Sequence, residues 1–153
     1  FEAIHLERCK PLPGALELLQ HLNDVWQIPA AIVSNKTGRF LRKEVDYLGW
    51  SAHFVLAVGA GDAISDKPNP APVDMIRREL SAQQSQNIWF VGDTDIDMAC
   101  AHNSACRAVL VEQTATDPIP GGALSESNGW EIDYTYNHLP QLTDYLAKLI
   151  QTE

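Results

Sequence analysis

The chain has 153 residues, 45% of them apolar and 20% charged, with a formal net charge of −9. That size and composition suit one globular domain with a real core. The acidic balance argues against a nucleic-acid partner, and no apolar run reaches the length of a membrane span, so no membrane partner is expected either. An anionic substrate must meet local positive charge here: a metal ion, a lysine or a helix N-terminus. Cys9, Cys100 and Cys106 are odd in number and lack metal spacing, and read as reduced, small buried hydrophobes of a cytoplasmic protein.

The opening FEAIHLERCK has no initiator Met and starts in mid-pattern, as a fragment would. From Pro13 to Trp26, apolar residues at Ala15, Leu18, Leu19, Leu22, Val25 and Trp26 predict a helix. Pro29–Val33 predicts a buried strand ending at Ser34-Asn35. Thr37-Gly38 opens a helix that places Phe40, Leu41, Val45 and Leu48 inward and ends near Gly49. Phe54–Val58 predicts a second strand, ended by Gly59-Ala-Gly61. Asp66–Pro70 is a turn, and a helix follows to about Leu80. Asn87–Val91 predicts a third strand, Asp95–Ser104 a helix and Arg107–Val111 a fourth strand. Residues 114–130 read as a long loop, Tyr134–Tyr136 as a short edge strand and Leu142–Ile150 as a closing helix. Strand and helix alternate and the strands are continuously apolar. This is the pattern of an α/β protein with a parallel sheet covered on both faces. Ligands of such sheets bind beyond the carboxyl ends of the strands.

One strand end carries an unusual charge density. In Phe90-Val-Gly-Asp-Thr-Asp-Ile-Asp97, three carboxylates fall within five residues after an apolar run. A calcium loop accounts for D-T-D-I-D but requires Gly where Met98 stands and Glu where Ser104 stands. A solvated helix N-terminus explains one or two aspartates through the helix dipole. A magnesium site is the third reading: Asp93 at the strand end and Asp97 one helical turn later face the same point, and Mg²⁺ completes its shell with water and phosphate oxygens. Ser34 and Lys67, singly a helix cap and a surface lysine, also fall at or just after strand ends. The joint order Ser, Lys, Asp pair is the specific signal.

From about Leu12 to Val111 the chain resembles the haloacid dehalogenase superfamily, in particular its phosphoglycolate-phosphatase-like members. IVSNKTG is similar to the family's second motif, DKPNPAPV to the third and WFVGDTDIDMACA to the fourth, GDxxxD. The resemblance implies a three-layer α/β/α Rossmann-like core over residues 13–153, with 1–12 as the remnant of a cap or its return linker. It implies Mg²⁺-dependent hydrolysis of a small phosphorylated metabolite, such as phosphoglycolate or a sugar phosphate, through an aspartyl-phosphate. It gives phosphate binding to Ser34 with Asn35 beside it, phosphate binding and catalysis to Lys67, and Mg²⁺ to Asp93, with Asp97 supporting the metal directly or through water. Asp95 has no role in the family and reads as a solvated capping residue. Where the family usually shows Ala-Gly after the fourth motif, this chain has Asn103-Ser-Ala-Cys106.

The family's first motif, DxDx[TV], which carries the nucleophile, is not found: DxD spacing occurs only within Asp93-Thr-Asp-Ile-Asp97, after the other motifs and without the Thr or Val. The sheet is therefore expected to lack its first, central strand and most of any cap. No cap fits between Ser34 and Lys67, a stretch filled by one helix, one strand and a turn. An open gap between two buried strands is costly, so the expectation is an N-terminal segment or a neighbouring chain that completes the sheet, or else closure of the gap. Gly59-Ala-Gly61 lacks the third glycine of a dinucleotide loop, and the five histidines form no i,i+4 pair. Two rivals remain: a non-catalytic phosphate- and metal-binding domain of the same fold, and a phospho-acceptor signalling domain, in which the acidic pair precedes the Ser/Thr and Lys.

Overall fold

The computed structural model describes residues 6–7, 9–112 and 130–152. Helix α1 (Ala15–Gln20) runs into a π-helical turn, His21–Val25. The widening has a cause: the Asn23 amide donates to Leu19 O at 2.8 Å and to His53 O at 3.2 Å, inserting a side chain into the helical ladder. Then follow β1 (Ile32–Thr37), α2 (Gly38–Tyr47), a 3₁₀ turn (Ser51–His53), β2 (Ala57–Ala60), α3 (Ala71–Arg77) and α4 (Ala82–Ser85). The chain continues with β3 (Trp89–Gly92), α5 (Asp95–Asn103), β4 (Arg107–Val111), β5 (Tyr134–Tyr136) and α6 (Leu139–Gln151). Of the 1–12 linker, residues 1–5 and 8 lie outside the described residues; so does the 114–130 loop, apart from Trp130. No helix among the described residues is long and apolar enough to cross a membrane.

β4 and β5 fall where the apolar pattern puts them. β1 and β2 start about three residues late, because their first apolar residues only flank the ladder: Val55 N–H donates to Ala30 O at 2.8 Å and Ile32 N–H to Leu56 O at 3.0 Å. The helix expected to reach Leu80 ends at Arg77. A separate short helix follows, started by a reciprocal capping box between Ser81 and Gln84. α6 begins at Leu139 rather than Leu142, with Pro140 in its first turn, where a missing N–H costs nothing.

All strand pairs are parallel, yet they form two sheets: β1 with β2, and β3 with β4 and β5. In the first, Val33 stands opposite Val58, and the register then shifts before Thr37. In the second, β4 is central and covered on both faces. Ala108 and Leu110 pack with Phe90, Met98, Cys100 and Ala101 under α5; Val109 and Val111 pack with Leu142 of α6. That two-sided burial is why Ala-Val-Leu-Val is uninterrupted by polar residues. β1 and β3 do not pair, and the gap between them has not closed. Val33 of β1 and Val91 and Gly92 of β3 line a cavity of about 300 Å³. Val91 is 42% exposed, although it follows the buried Phe90 in the strand. The three cysteines are free thiols, and burial pushes Cys106 up to about 11.

Two helices end in the same way. After α2, Trp50 N–H bonds Val45 O and Gly49 N–H bonds Asp46 O; after α5, Cys106 N–H bonds Ala101 O and Ala105 N–H bonds His102 O. Both are Schellman motifs, which require a left-handed residue. Gly49 supplies it at φ 73, whereas Ala105 holds φ 54 against its own Cβ. Ala105→Gly is therefore expected to stabilise the fold by about 0.5–1 kcal/mol, read as a higher midpoint in thermal or urea unfolding; an unchanged or lower midpoint contradicts the cap analysis.

Candidate functional site

The site is assembled where β3 meets α5. Thr94 is the N-cap of α5: its hydroxyl accepts the Asp97 N–H at 3.2 Å and donates to Asp97 Oδ2 at 3.0 Å. The same oxygen accepts the backbone N–H groups of Asp93 at 3.1 Å and Thr94 at 3.3 Å. This first turn can fold back onto the strand end because residue 92 is glycine; a Cβ there would stand 2.3 Å from the Cβ of Asp97. Thr94, not Asp95, thus holds the cap position, and Asp95 is half-buried at the first helical residue.

Asp97 turns its other oxygen, Oδ1, to Lys67 Nζ at 2.5 Å, with side-chain exposures of 8% and 11%. Burial alone would raise the Asp97 carboxyl pKa. The hydrogen bond and charge of Lys67, with the Asp93 amide and the Thr94 hydroxyl, outweigh it and hold the group below its usual range. Lys67 is presented by the 66–70 turn, which Asn69 N–H closes onto Asp66 O at 2.9 Å while Gly61 N–H bonds Asp66 Oδ1 at 2.9 Å. Asn35 holds Lys67 by its main chain: Lys67 N–H donates to Asn35 Oδ1 at 3.1 Å and Asn35 Nδ2 donates to Lys67 O at 3.2 Å. Asn103 Nδ2 donates to Pro68 O at 3.0 Å.

Of the residues singled out in the sequence, Lys67, Asp93 and Asp97 line the cavity between β1 and β3. Asn35 reaches it only through the Lys67 main chain. Ser34 lies in the irregular part of β1, where its Oγ accepts the Lys36 N–H at 3.1 Å, and it does not line the cavity. Lys36, the other lysine of this stretch, is engaged by Glu44 at 2.6 and 2.8 Å. Thr94 and Asn103 were missed in the sequence, and Gly92 was read only as part of the GDxxxD motif. Thr94 had a signal, the T-x-x-D spacing of a helix start; Asn103 had none.

As a metal site the donor set is sparse. Asp93 is exposed and has no side-chain bond among the described residues, so it can ligate a cation. Asp97 is engaged by Lys67 through Oδ1 and by the cap through Oδ2. No cluster of three His, Cys, Asp or Glu forms among the described residues. This fits Mg²⁺, which takes one or two carboxylates and leaves its other positions to water and phosphate, better than a cation caged by protein.

A family model described as haloacid dehalogenase-like hydrolase matches residues 1–111. The chain belongs to that family. It is 35% identical over 82 residues to a phosphoglycolate phosphatase of Pectobacterium atrosepticum, covering 54% of this chain and 35% of that protein. It is 31% identical over 140 residues to a phosphoglycolate phosphatase of Pseudomonas syringae pv. syringae, covering 90% of this chain and 49% of that one. The crystal structure of a HAD-superfamily hydrolase from Ehrlichia chaffeensis superposes with a TM-score of 0.72 at 26% identity, over 91% of this chain and 58% of the other. The chain thus spans about half or less of these phosphatases' length, and the fold is that of the family's α/β core.

The Asp97 carboxyl is held below its unfolded value, so it stabilises the fold fully above about pH 4, and that contribution is lost as pH falls through the lowered folded value. Asp97→Asn leaves Lys67 buried without its counter-charge and is expected to cost about 3 kcal/mol near pH 7. Urea unfolding of both proteins checks this: the difference should shrink steadily below about pH 4, and a difference independent of pH would contradict the ion-pair assignment.

Proposed function

We propose that this domain belongs to a Mg²⁺-dependent phosphatase of small phosphorylated metabolites in the cytoplasm, and that its nucleophile enters on a further strand seated between β1 and β3. The observation that carries this reading is the placement of Lys67 and Asp93 in one cavity, facing two strand edges with no partner among the described residues. Two parallel edges that face each other accept one extended segment by main-chain pairing on both sides. The preferred occupant is a segment preceding Phe1, with a neighbouring chain as the alternative. Such a strand, running parallel to its neighbours, would end beside Lys67 and Asp93.

In this reading each residue has a distinct task. The inserted strand's carboxylate attacks phosphorus, the alkoxide leaves, and water then cleaves the resulting acyl phosphate. Lys67 neutralises the phosphoryl oxygens, and Asp97 keeps its ammonium aimed at them. Asp93 would hold Mg²⁺, which when bound supplies charge stabilisation to the transferring phosphoryl group. Ser34 would donate its hydroxyl to a phosphate oxygen. The relatives named phosphoglycolate phosphatase support a small phosphorylated acid as substrate, with a sugar phosphate as the alternative in the same class. A carboxylate-bearing substrate would meet few other positive charges, so Lys67 and the metal carry most of the electrostatic attraction.

The chain alone is expected to release no phosphate from phosphoglycolate or p-nitrophenyl phosphate with Mg²⁺, whereas a form extended upstream of Phe1 should turn both over. In the extended form, Asp93→Asn should lower the rate by about a hundredfold or more, since several kcal/mol of transition-state stabilisation pass through the metal. Robust turnover by the chain alone would refute the missing-nucleophile reading. An extended form that binds phosphate but never turns over would favour a non-catalytic binding domain.

A further inference from the structure

We infer that Asn35 and Asn103 are positioning residues for Lys67, Asn35 holding its main chain and Asn103 the Pro68 carbonyl that follows it, from opposite sides of the gap, and that Asn35 is not a phosphate ligand. Asn35 Oδ1 accepts the Lys67 N–H at 3.1 Å and its Nδ2 donates to the Lys67 carbonyl at 3.2 Å. Both ends of one side-chain amide thus serve the two polar groups of one residue, as a neighbouring strand would. The amide is oriented by these bonds toward the main chain of residue 67.

Asn103 completes the hold on the following residue, donating to Pro68 O at 3.0 Å. It stands on α5, the helix that also carries Asp97, whose Oδ1 receives Lys67 Nζ at 2.5 Å. One helix therefore fixes both the charged tip of Lys67 and the peptide beyond its base, while β1 fixes the base itself. β1 belongs to the two-stranded sheet, and α5 packs on the three-stranded one. The ammonium position consequently depends on both halves of the fold being correctly spaced.

The catalytic meaning of this hold rests on the reading of Lys67 as the phosphate-neutralising residue; the hold itself does not. Competitive acetylation of the chain with acetic anhydride, read lysine by lysine by mass spectrometry, tests it. In the unaltered chain Lys67 should react slowly, being shielded and paired with Asp97. Asn35→Ala, which loses two hydrogen bonds, should raise Lys67 reactivity by about tenfold, and Asn103→Ala by roughly fivefold, with exposed Lys10 and Lys148 unchanged. Asn35→Asp keeps the acceptor for the Lys67 N–H and should fall between the unaltered chain and Asn35→Ala, a graded rescue that simple packing would not give. If Asn35→Ala raises every lysine together it has unfolded, and Asn35→Asp and Asn103→Ala then decide.

A second arm adds inorganic phosphate with Mg²⁺. Phosphate should protect Lys67 in the unaltered chain and protect it less in the variants. Lys67 reactivity unchanged in all variants would overturn the inference, as would weakened phosphate protection in Asn35→Ala with unchanged Lys67 reactivity, because Asn35 would then touch the anion directly. Raised Lys67 reactivity in the variants, with no protection by phosphate in any form, would support the hold while counting against the phosphatase reading.

Discussion

The Lys67–Asp97 ion pair is the contact on which the rest of the site depends. Lys67 follows β2 of one sheet, and Asp97 lies in the helix that follows β3 of the other, so the pair spans the gap between two sheets that share no strand pairing. Removing two charges from water is expensive, and a buried pair of this kind contributes little net stability compared with a well-packed apolar pair. Breaking it is another matter, because one unpaired buried charge remains. The fold therefore keeps a costly arrangement intact by surrounding Asp97 with donors: two main-chain amides, the Thr94 hydroxyl and the lysine itself. Such an arrangement makes physical sense where a cation must be held in one place, ready to face an anion.

The crowding of aspartates at the end of β3 resolves into three environments. Asp97 is buried and fully engaged, and its negative charge is matched by Lys67. Asp95 is half-buried on the first helical residue. Asp93 is exposed, with its side chain uncommitted among the described residues. Three like charges over one turn are tolerable because one is neutralised by lysine, the helix N-terminus favours the others, and a divalent cation would offset what is left. The backbone requirement is equally specific. Without a glycine at 92, the Asp97 side chain would collide with the strand end, and neither cap nor ion pair would form.

Much of this was legible in the sequence, and what was not has identifiable causes. β4 and β5 could be read because both-face burial writes an unbroken apolar run or a paired aromatic stretch. β1 misled because Pro29–Ala31 only approach the sheet, while the strand pairs through Ile32 and Val33 and then, past a register shift, through polar Thr37, to which hydrophobic periodicity is blind. The π-turn at His21–Val25 depends on Asn23 reaching His53, a contact thirty positions away that no local pattern encodes. Lys67, Asp93 and Asp97 could be singled out because their spacing is chemical, and they line one cavity. The sequence puts Asn35 beside Ser34 but cannot show that its amide is turned to the Lys67 main chain. The Schellman end at Ala105 was hidden because the residue type that signals it, glycine, is absent there.

The account rests on the nucleophilic carboxylate lying outside the aspartate cluster, on a strand that fills the space between β1 and β3. Trapping the phosphoryl group tests that most directly. A form of the protein extended upstream of Phe1 would be acid-quenched during turnover with Mg²⁺ and a phosphomonoester, reduced with borohydride at the acyl phosphate, and mapped by peptide mass spectrometry. The account predicts that the modified residue is an aspartate preceding Phe1, with Asp93, Asp95 and Asp97 unmodified. Modification of any of those three would contradict it and make the cluster itself the phosphate acceptor.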